Sequence, residues 1–556
     1  MKLFSINPYK INRMNLFKFL VTGVLMYTTT LLTAQTVTVN TNQKGTKFDH
    51  FWSKSVGAGR ANEALRAGWL EQLEQVQENC GFEYVRFHGL FHDDMFPIVE
   101  EKGALKYNWQ YIDDVFDRML DLKVKPFVEL AFLPSSMAAE NSKTVFWWKA
   151  NITPTDGTFE QWHLLVKAFT EHCVARYGIE EVATWYFEVW NEPNLYPLFW
   201  DGTKSQYFEL YKQSVLAIKS VNSSLRVGGP STSNFVPDTR FDGEVTNDKA
   251  SDEVFSSKDI NSLQWHGVWI EDFLSYCEKE KLPVDFVSTH PYPTDYAFNP
   301  ETGKGKGLTR YANSTKEDLE WLNATIAKSA YPNAEIHLTE WNTSPSSRDD
   351  MHDRLPAAAY IVKTNLDCIG LTNSLAFWTF TDIFEEKGGA ASIFHGGFGM
   401  INYQGLVKPS YHAYRMLHEL GDVNLYKNDY LFVSKNTATN TIAAIAYNYP
   451  DEYLNAVPSG ADKRENGSVK QLHFRLSNLE PGIMFKIETL DKDHGNIHDF
   501  WEDMGRPEPP TREEIKVMKA YANALKTEYV YADTKGDISI NRELKSWSLV
   551  LIKQVN

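Results

Sequence analysis

Short apolar runs alternate with longer amphipathic runs between about residues 52 and 382. The short runs are rich in β-branched and aromatic residues, as buried strands are, and the longer ones carry the apolar spacing of helices. Strands that alternate with helices pair in parallel through right-handed crossovers. Eight such units predict an α/β fold, the closed (β/α)8 TIM barrel, with an open doubly wound sheet as the alternative. The predicted strands are 52–57, 84–88, 126–130, 185–190, 225–229, 285–290, 335–339 and 375–380.

The pattern changes after Tyr403. Apolar and polar positions alternate in four later segments, which predicts antiparallel strands of an accessory β-sandwich. Thr511 and Glu514 predict a capping box at the start of one helix within this region. An early strand, 36–39, is expected to pair with the same sheet. The predicted organisation is a signal peptide over 1–34, an N-terminal strand within 35–50, the barrel over 51–403 and the β-sandwich over 404–556.

Residues 1–34 have the pattern of a secretory signal peptide. Lys10, Arg13 and Lys18 precede an apolar run over 19–32, and Ala34 ends the segment. Leu32 occupies a position before the cleavage site where a small residue is preferred, so an uncleaved anchor is the alternative to cleavage after Ala34. No other segment of the sequence is long and apolar enough to cross a bilayer. The leader predicts a secreted or periplasmic protein.

Charge and cysteine usage exclude several classes of function. With 56 Lys and Arg against 72 Asp and Glu, the net charge is −16. This charge disfavours nucleic acid and acidic lipid as partners, because both require basic patches. Neither a CxxC pair nor an HExxH or phosphate-loop motif occurs, so neither a metal nor another cofactor is expected. A homo-oligomer remains open. Four cysteines in helix-like segments are predicted to be buried thiols: Cys80, Cys173, Cys277 and Cys368.

Two glutamates stand at the ends of two predicted strands. Glu192 follows strand 185–190, and Glu340 follows strand 335–339, each beside Asn and Trp residues. The carboxyl ends of barrel strands meet at one rim, where barrel enzymes place their chemistry. Paired carboxylates flanked by aromatic rings are what cleavage of a glycosidic bond requires. The same strand ends also carry His88, Asn191, His290, Tyr292 and Trp378.

Several longer motifs occur in a fixed order along the chain. They are 86–89 with 93–95, 125–130, 177–182, 185–194, 338–342, 378–382 with 384–386, and 394–399. From about residue 52 to the C-terminus, this set resembles glycoside hydrolase family 39, and within it the β-xylosidases. The resemblance implies a (β/α)8 barrel with an accessory β-sandwich, hydrolysis with net retention, and no metal.

The resemblance also implies roles for individual residues. Glu192 would be the acid/base, Glu340 the nucleophile, and Asn191 the partner of the sugar 2-hydroxyl. The subsite that holds the terminal sugar would be lined by His88, His290, Tyr292, Trp378 and one of Glu385 and Glu386. Because α-L-iduronidases belong to the same family and share its Glu-x-Trp-Asn-Glu-Pro core, the family alone leaves the sugar open.

The two carboxyl groups need different protonation states. Tyr292 and Arg86 are candidates to hydrogen-bond an ionised Glu340, whereas nearby negative charge and desolvation would keep Glu192 protonated.

The loop after the eighth strand offers Glu385 and Glu386 but only one cation, Lys387, and a uronate would need a cation opposite it. The sequence therefore predicts an exo-acting β-D-xylosidase that acts on xylosides or xylo-oligosaccharides. The alternatives are an α-L-iduronidase-like or α-L-arabinosidase-like enzyme, or a non-catalytic carbohydrate-binding protein.

Overall fold

The computed structural model describes residues 36–237, 242–245, 263–293, 309–457 and 466–555. The predicted signal peptide, residues 1–34, lies outside these residues. Within them, no helix combines the length and the apolar character that a membrane crossing requires.

Eight parallel strands close into a barrel in which neighbours around the ring are also neighbours in the chain. Each coincides with one predicted strand, so the TIM barrel is confirmed. The first strand begins later than predicted because Phe51–Ser53 form a 3₁₀ turn. The strands are Ser55–Arg60, Tyr84–His88, Lys125–Leu130, Tyr186–Val189, Arg226–Ser233, Phe286–His290, Glu335–Trp341 and Ser374–Phe377.

Long helices alternate with these strands. The eighth, Pro409–His418, packs against the first and the seventh, so it completes the ring of barrel helices. It lies within the residues that the sequence pattern assigns to the β-sandwich, because the loop after the eighth strand is unusually long. The helices are Ala67–Cys80, Gln110–Asp121, Thr158–Tyr177, Lys204–Val221, Ile270–Glu280, Ser314–Lys328, Leu355–Asp367 and Pro409–His418.

The four cysteines are buried free thiols in these helices or directly after one, as predicted. Cys368 is the one that follows a helix, Leu355–Asp367. Burial raises the pKa of the Cys80 and Cys368 thiols, which keeps them protonated and unreactive.

The C-terminal region forms two sheets. One has seven strands: Thr46–Lys47, Val423–Lys427, Leu431–Lys435, Ile442–Tyr447, Leu549–Gln554, Met484–Leu490 and Lys526–Tyr531. The other has three: Val37–Asn40, Lys470–Ser477 and Ile538–Leu544. The early strand pairs with this smaller sheet, as expected, with Val37 opposite Phe474. The capping box is also present, since Thr511 Oγ1 accepts from Glu514 N–H and the Glu514 carboxylate accepts from Thr511 N–H.

The seven-stranded sheet has two apolar faces. Phe432 and Ile445 belong to the same apolar core as the barrel helices, whereas their neighbours Val433 and Ala444 belong to the core under the three-stranded sheet. Because successive side chains of a strand point to opposite faces, one sheet serves both cores. The barrel, the large sheet and the small sheet are therefore three successive layers.

Candidate active site

The fourth and seventh strands bring Glu192 and Glu340 to the same end of the barrel. Glu192 lies three residues beyond Val189, in a left-handed conformation with φ 46°, and its N–H donates to the Ser231 carbonyl at 2.8 Å. Such a conformation is uncommon outside glycine and clusters at functional sites. The seventh strand continues through Glu340 to Trp341, and its pairing register with the eighth strand shifts between Leu338 and Trp341.

A pocket of about 360 Å³ opens above these glutamates. One carboxylate oxygen of Glu192 and one of Glu340 lie within 4.8 Å of each other. This proximity is that of retaining glycosidases, since inverting enzymes hold their carboxyl groups further apart to admit a water. Seven of the predicted site residues line the pocket: His88, Asn191, Glu192, Tyr292, Glu340, Trp378 and Glu386.

Glu340 receives a hydrogen bond at each carboxylate oxygen. Arg86 Nη1 donates to Oε1 at 2.6 Å, and the Tyr292 hydroxyl donates to Oε2 at 3.1 Å. Burial and the charge of Glu340 hold the pKa of Tyr292 well above its usual value, so the phenol keeps its proton. Both contacts favour an ionised Glu340, and both partners are the ones that the sequence indicated.

Arg86 organises the charged groups beneath the pocket. Its guanidinium is fully buried and also contacts Glu188 at 2.5 Å and Asn191 Oδ1 at 2.9 Å. Burial opposes ionisation of Glu188, but the charge and hydrogen bond of Arg86, together with His290 and Ser288, outweigh burial and lower the pKa of that carboxyl. Sequence reasoning did not place Glu188, or Glu129 in the third strand, at the site. The available signal was a charged residue between apolar neighbours in each of three barrel strands: Arg86, Glu129 and Glu188.

His290 lies behind the pocket, between Glu192 and Thr339. Burial lowers the pKa of His290 to about 4, so its ring is neutral. Thr339 Oγ1 donates its only proton to Glu188 at 2.7 Å and therefore accepts from His290 Nε2–H at 3.0 Å. The bare Nδ1 of His290 then faces Glu192 Oε1 at 2.9 Å, which supports a protonated Glu192 that donates to it.

His88 forms the opposite wall with Trp378, and their ring centroids lie 4.8 Å apart. The ring of His88 contacts Glu129 at 2.8 Å and Glu386 at 3.4 Å. Burial opposes a charge on this ring, but Glu129, Glu386 and Glu340 outweigh burial and raise the pKa of His88 to about 10. His88 is therefore a cation at neutral pH, between carboxylates.

Only one of the two glutamates after the eighth strand reaches the pocket. Glu386 lines it, and burial raises the pKa of its carboxyl. Glu385 is not a lining residue, because Arg60 and Arg66 hold its carboxylate at 3.0 and 2.7 Å. Of the pair proposed for sugar binding, the structure therefore retains Glu386, and its contact with sugar stays a prediction.

Among the residues that the structure describes, two groups of side chains have donor atoms close enough for a metal ion: Glu192 with His290 and Glu340, and His498 with Asp499 and Glu502. In each group an arginine already faces the carboxylates. Arg86 lies 2.6 Å from Glu340, and Arg354 lies 3.8 Å from Asp499. These donor sets suit ion pairing with a guanidinium better than coordination of a second cation.

Comparison with known proteins covers nearly the whole chain. The profile of "Glycosyl hydrolases family 39" matches residues 35–247 and 261–539. A β-xylosidase of Caldicellulosiruptor saccharolyticus is 36% identical over 89% of this chain and 92% of its own length. One from Geobacillus stearothermophilus is 34% identical over 91% and 93%. The crystal structure of a monomeric β-xylosidase from Caulobacter crescentus superposes with a TM-score of 0.79 at 30% identity, covering 94% of this chain and 99% of that one. Since these matches run through the barrel and the accessory sheets alike, the chain belongs to glycosyl hydrolase family 39.

Proposed function

We propose that this protein is a retaining, exo-acting β-D-xylosidase that releases xylose from β-xylosides or xylo-oligosaccharides. The observation that carries the reaction type is the pair of glutamates in one pocket, with oxygens within 4.8 Å of each other and with Glu340 hydrogen-bonded by two donors. The similarity to β-xylosidases over about nine-tenths of the chain supports the sugar.

In the first step, ionised Glu340 attacks the anomeric carbon of the bound xyloside and forms an ester bond to it. The bond to the leaving oxygen breaks, and that oxygen takes the proton of Glu192. Arg86 and Tyr292 position the attacking carboxylate, and His290 orients Glu192. The negative charge of Glu340 is lost in this step.

In the second step, water attacks the anomeric carbon from the side that the leaving group has vacated. Glu192, now a carboxylate, takes a proton from the water and becomes the acid again, while Glu340 departs as a carboxylate. Loss of the charge on Glu340 lowers the proton affinity of Glu192 in the intermediate and allows one residue to serve both steps. Two inversions give net retention.

The charges around the sugar site favour a neutral sugar. Arg86 is fully buried beneath the pocket and is already engaged by Glu188, Glu340 and Asn191, so it is not available to pair with a uronate. Glu386 and Glu340 flank the site, and of the two cations in the pocket lining, His88 is already held by Glu129 and Glu386, which leaves Lys387 for a uronate. Neutral hydroxyl groups can instead donate to these carboxylates.

A substrate panel tests this proposal. We expect kcat/KM on nitrophenyl β-D-xyloside to exceed that on the matching α-L-iduronide and α-L-arabinoside. Equal or reversed preference would contradict the xylosidase assignment.

The anomer of xylose that is released first, observed by NMR, should be the β anomer. An α product would contradict retention.

We also propose that the protein is exported to the periplasm or the medium, because residues 1–34 have the charge and apolar pattern of a signal peptide. N-terminal sequencing of protein from the native host should give a mature chain that starts near Gln35. A cytosolic protein whose chain still starts at Met1 or at Met14 would contradict export.

A further inference from the structure

The residues that line the pocket fall into two chemical groups. Those beneath the sugar site are polar or charged, as described above. Apolar side chains also line the pocket, among them Val145, Phe146, Leu195, Leu198 and Phe199. Within this apolar group, Leu198 is 54% exposed. A half-exposed leucine at the mouth of a pocket presents apolar surface to whatever occupies that mouth.

Three of these residues are tied to Glu192 through the backbone. Leu195 N–H donates to the Glu192 carbonyl at 3.0 Å, and the N–H groups of Leu198 and Phe199 both donate to the Leu195 carbonyl, at 2.7 and 3.0 Å. The indole N–H of Trp190 donates to the Phe199 carbonyl at 2.9 Å. The chain therefore turns tightly just after Glu192 and holds Leu195, Leu198 and Phe199 beside it. We name these three residues the leaving-group patch.

Rings connect this patch to the sugar site. The ring centroid of Phe199 lies 5.4 Å from that of Phe146, and Phe146 stacks on His88 at 5.3 Å. Phe146 belongs to the short hairpin Thr144–Val145 and Ala150–Asn151, so it reaches the pocket from a different loop. The apolar surface is therefore continuous from the wall of the sugar site to the leaving-group patch.

This position determines which part of the substrate the patch meets. Glu192 gives its proton to the leaving oxygen, so the leaving group begins at Glu192. The segment that directly follows Glu192 then lies beside the first atoms of that leaving group. None of the three side chains in the patch can form a hydrogen bond or an ion pair, so the favourable contact is burial of apolar surface.

We infer that the leaving-group patch is a binding site for apolar aglycones, so that the enzyme favours β-D-xylosides with alkyl or aryl aglycones over those with small or polar ones. This inference rests on the proposed xylosidase function and adds the class of leaving group. Leu198 is the main determinant of this preference because it has the most surface left to bury.

Alkyl β-D-xylosides of increasing chain length provide the test, because their leaving alcohols have nearly equal acidity and differ in apolar surface. In the wild-type enzyme, kcat/KM should rise by roughly twofold for each added methylene, which is part of the factor of about four that full burial of a methylene would give. From methyl to hexyl, which adds five methylenes, the expected rise is about thirtyfold. Leu198→Ser should reduce this rise to about threefold or less. The readout is the ratio of kcat/KM for the hexyl xyloside to kcat/KM for the methyl xyloside, compared between Leu198→Ser and the wild-type enzyme.

Leu164→Ser is the matched control. Leu164 is 52% exposed on the outer helix Thr158–Tyr177, away from the pocket lining, and its substitution should leave the whole series unchanged. A wild-type series that is flat, or a Leu198→Ser variant with the wild-type slope, would overturn the inference. Failure of the wild-type enzyme to cleave any xyloside would overturn the proposed function instead, so the two failures are distinguishable.

Discussion

Glu192 and Glu340 are both buried, yet different neighbours reach them. Glu340 accepts from a guanidinium and a phenol, whereas Glu192 faces the bare nitrogen of a neutral imidazole. These surroundings stabilise opposite protonation states of two chemically identical side chains. The proposed roles of nucleophile and acid rest on these hydrogen-bond partners, which single substitutions can test.

Removal of either carboxyl group should have a distinct effect. Glu340→Ala should abolish turnover, whereas Glu192→Ala should cost roughly 10²–10⁴-fold, mostly on xylosides with poor leaving groups. Added azide should rescue Glu192→Ala with a product of retained configuration, because the glycosyl-enzyme still forms on Glu340. Glu180→Ala, on the surface of the short helix Ile179–Val182, serves as the control. Cleavage of unactivated xylosides by Glu192→Ala at the wild-type rate would show that the acid is another group.

The position of Trp378 depends on Gly57 in the first strand, because glycine has no side chain to contact the ring. A Cβ at Gly57 would lie 2.3 Å from Cε3 of Trp378, which is too close for any real contact. Gly57→Ala should displace this ring from the sugar site and lower kcat/KM by about tenfold or more, since small misplacements in a site can cost about 100-fold. Gly157→Ala, where the nearest atom would be 3.7 Å away, should leave kcat/KM unchanged. Unaltered kinetics in Gly57→Ala would mean that Trp378 does not position the sugar.

At the level of single elements, the seventh strand carries ionisable groups at both of its ends. Glu340 lies near the C-terminal end, at the pocket. Glu335 begins the strand at the opposite end of the barrel and accepts from the Tyr186 hydroxyl at 2.7 Å and from His337 Nε2–H at 2.9 Å. Burial would raise the pKa of Glu335, but the hydrogen bonds from His337 and Tyr186 outweigh it and lower the pKa to about 2. The strand is therefore anchored at its start by an ionised group.

Because Glu335 is ionised in the folded chain, the stability of the fold should depend on pH in the acidic range. Glu335 has a lower pKa in the folded chain than in the unfolded chain, so its contribution is complete above about pH 4.5 and is lost as the pH falls towards 2. Glu335→Gln should be less stable than wild type at pH 7, and the difference should shrink between pH 4.5 and 2. Urea unfolding across this range measures it. Glu71→Gln, at an exposed position of Ala67–Cys80, is the control variant, and a constant deficit in Glu335→Gln would contradict the role of ionisation.

At the scale of the whole molecule, the barrel and the large sheet share one core. Every residue over 355–366 of the seventh helix is buried, as expected for a helix covered on all sides. The large sheet supplies part of this cover, because Ile445 belongs to the same apolar core and Lys427 Nζ donates to the Leu366 carbonyl at 2.6 Å. The accessory region is therefore part of the packing of the barrel.

Truncation tests this dependence. A chain that ends at Tyr403 should be insoluble, because it loses the eighth barrel helix and exposes the apolar face of the seventh. A chain that ends at Leu420 keeps Pro409–His418 and removes only the accessory strands that follow. We expect it to be insoluble as well, as measured by partition between pellet and supernatant after expression. A soluble and active chain ending at Leu420 would show that the large sheet is dispensable.

The positions of the eight barrel strands and of Glu192 and Glu340 follow from the sequence, because alternating apolar runs and strand-end carboxylates are visible in short windows. Other features depend on contacts between residues distant in the chain. Arg86 meets Glu188 and Glu340 only when the barrel closes. Glu386 rather than Glu385 faces the pocket because Arg60 and Arg66 hold Glu385. Pro409–His418 joins the barrel because it packs against the first and the seventh barrel helices, which are distant from each other in the chain. Local periodicity is a property of adjacent residues, whereas the partners of buried charges and the placement of a helix are decided by tertiary packing.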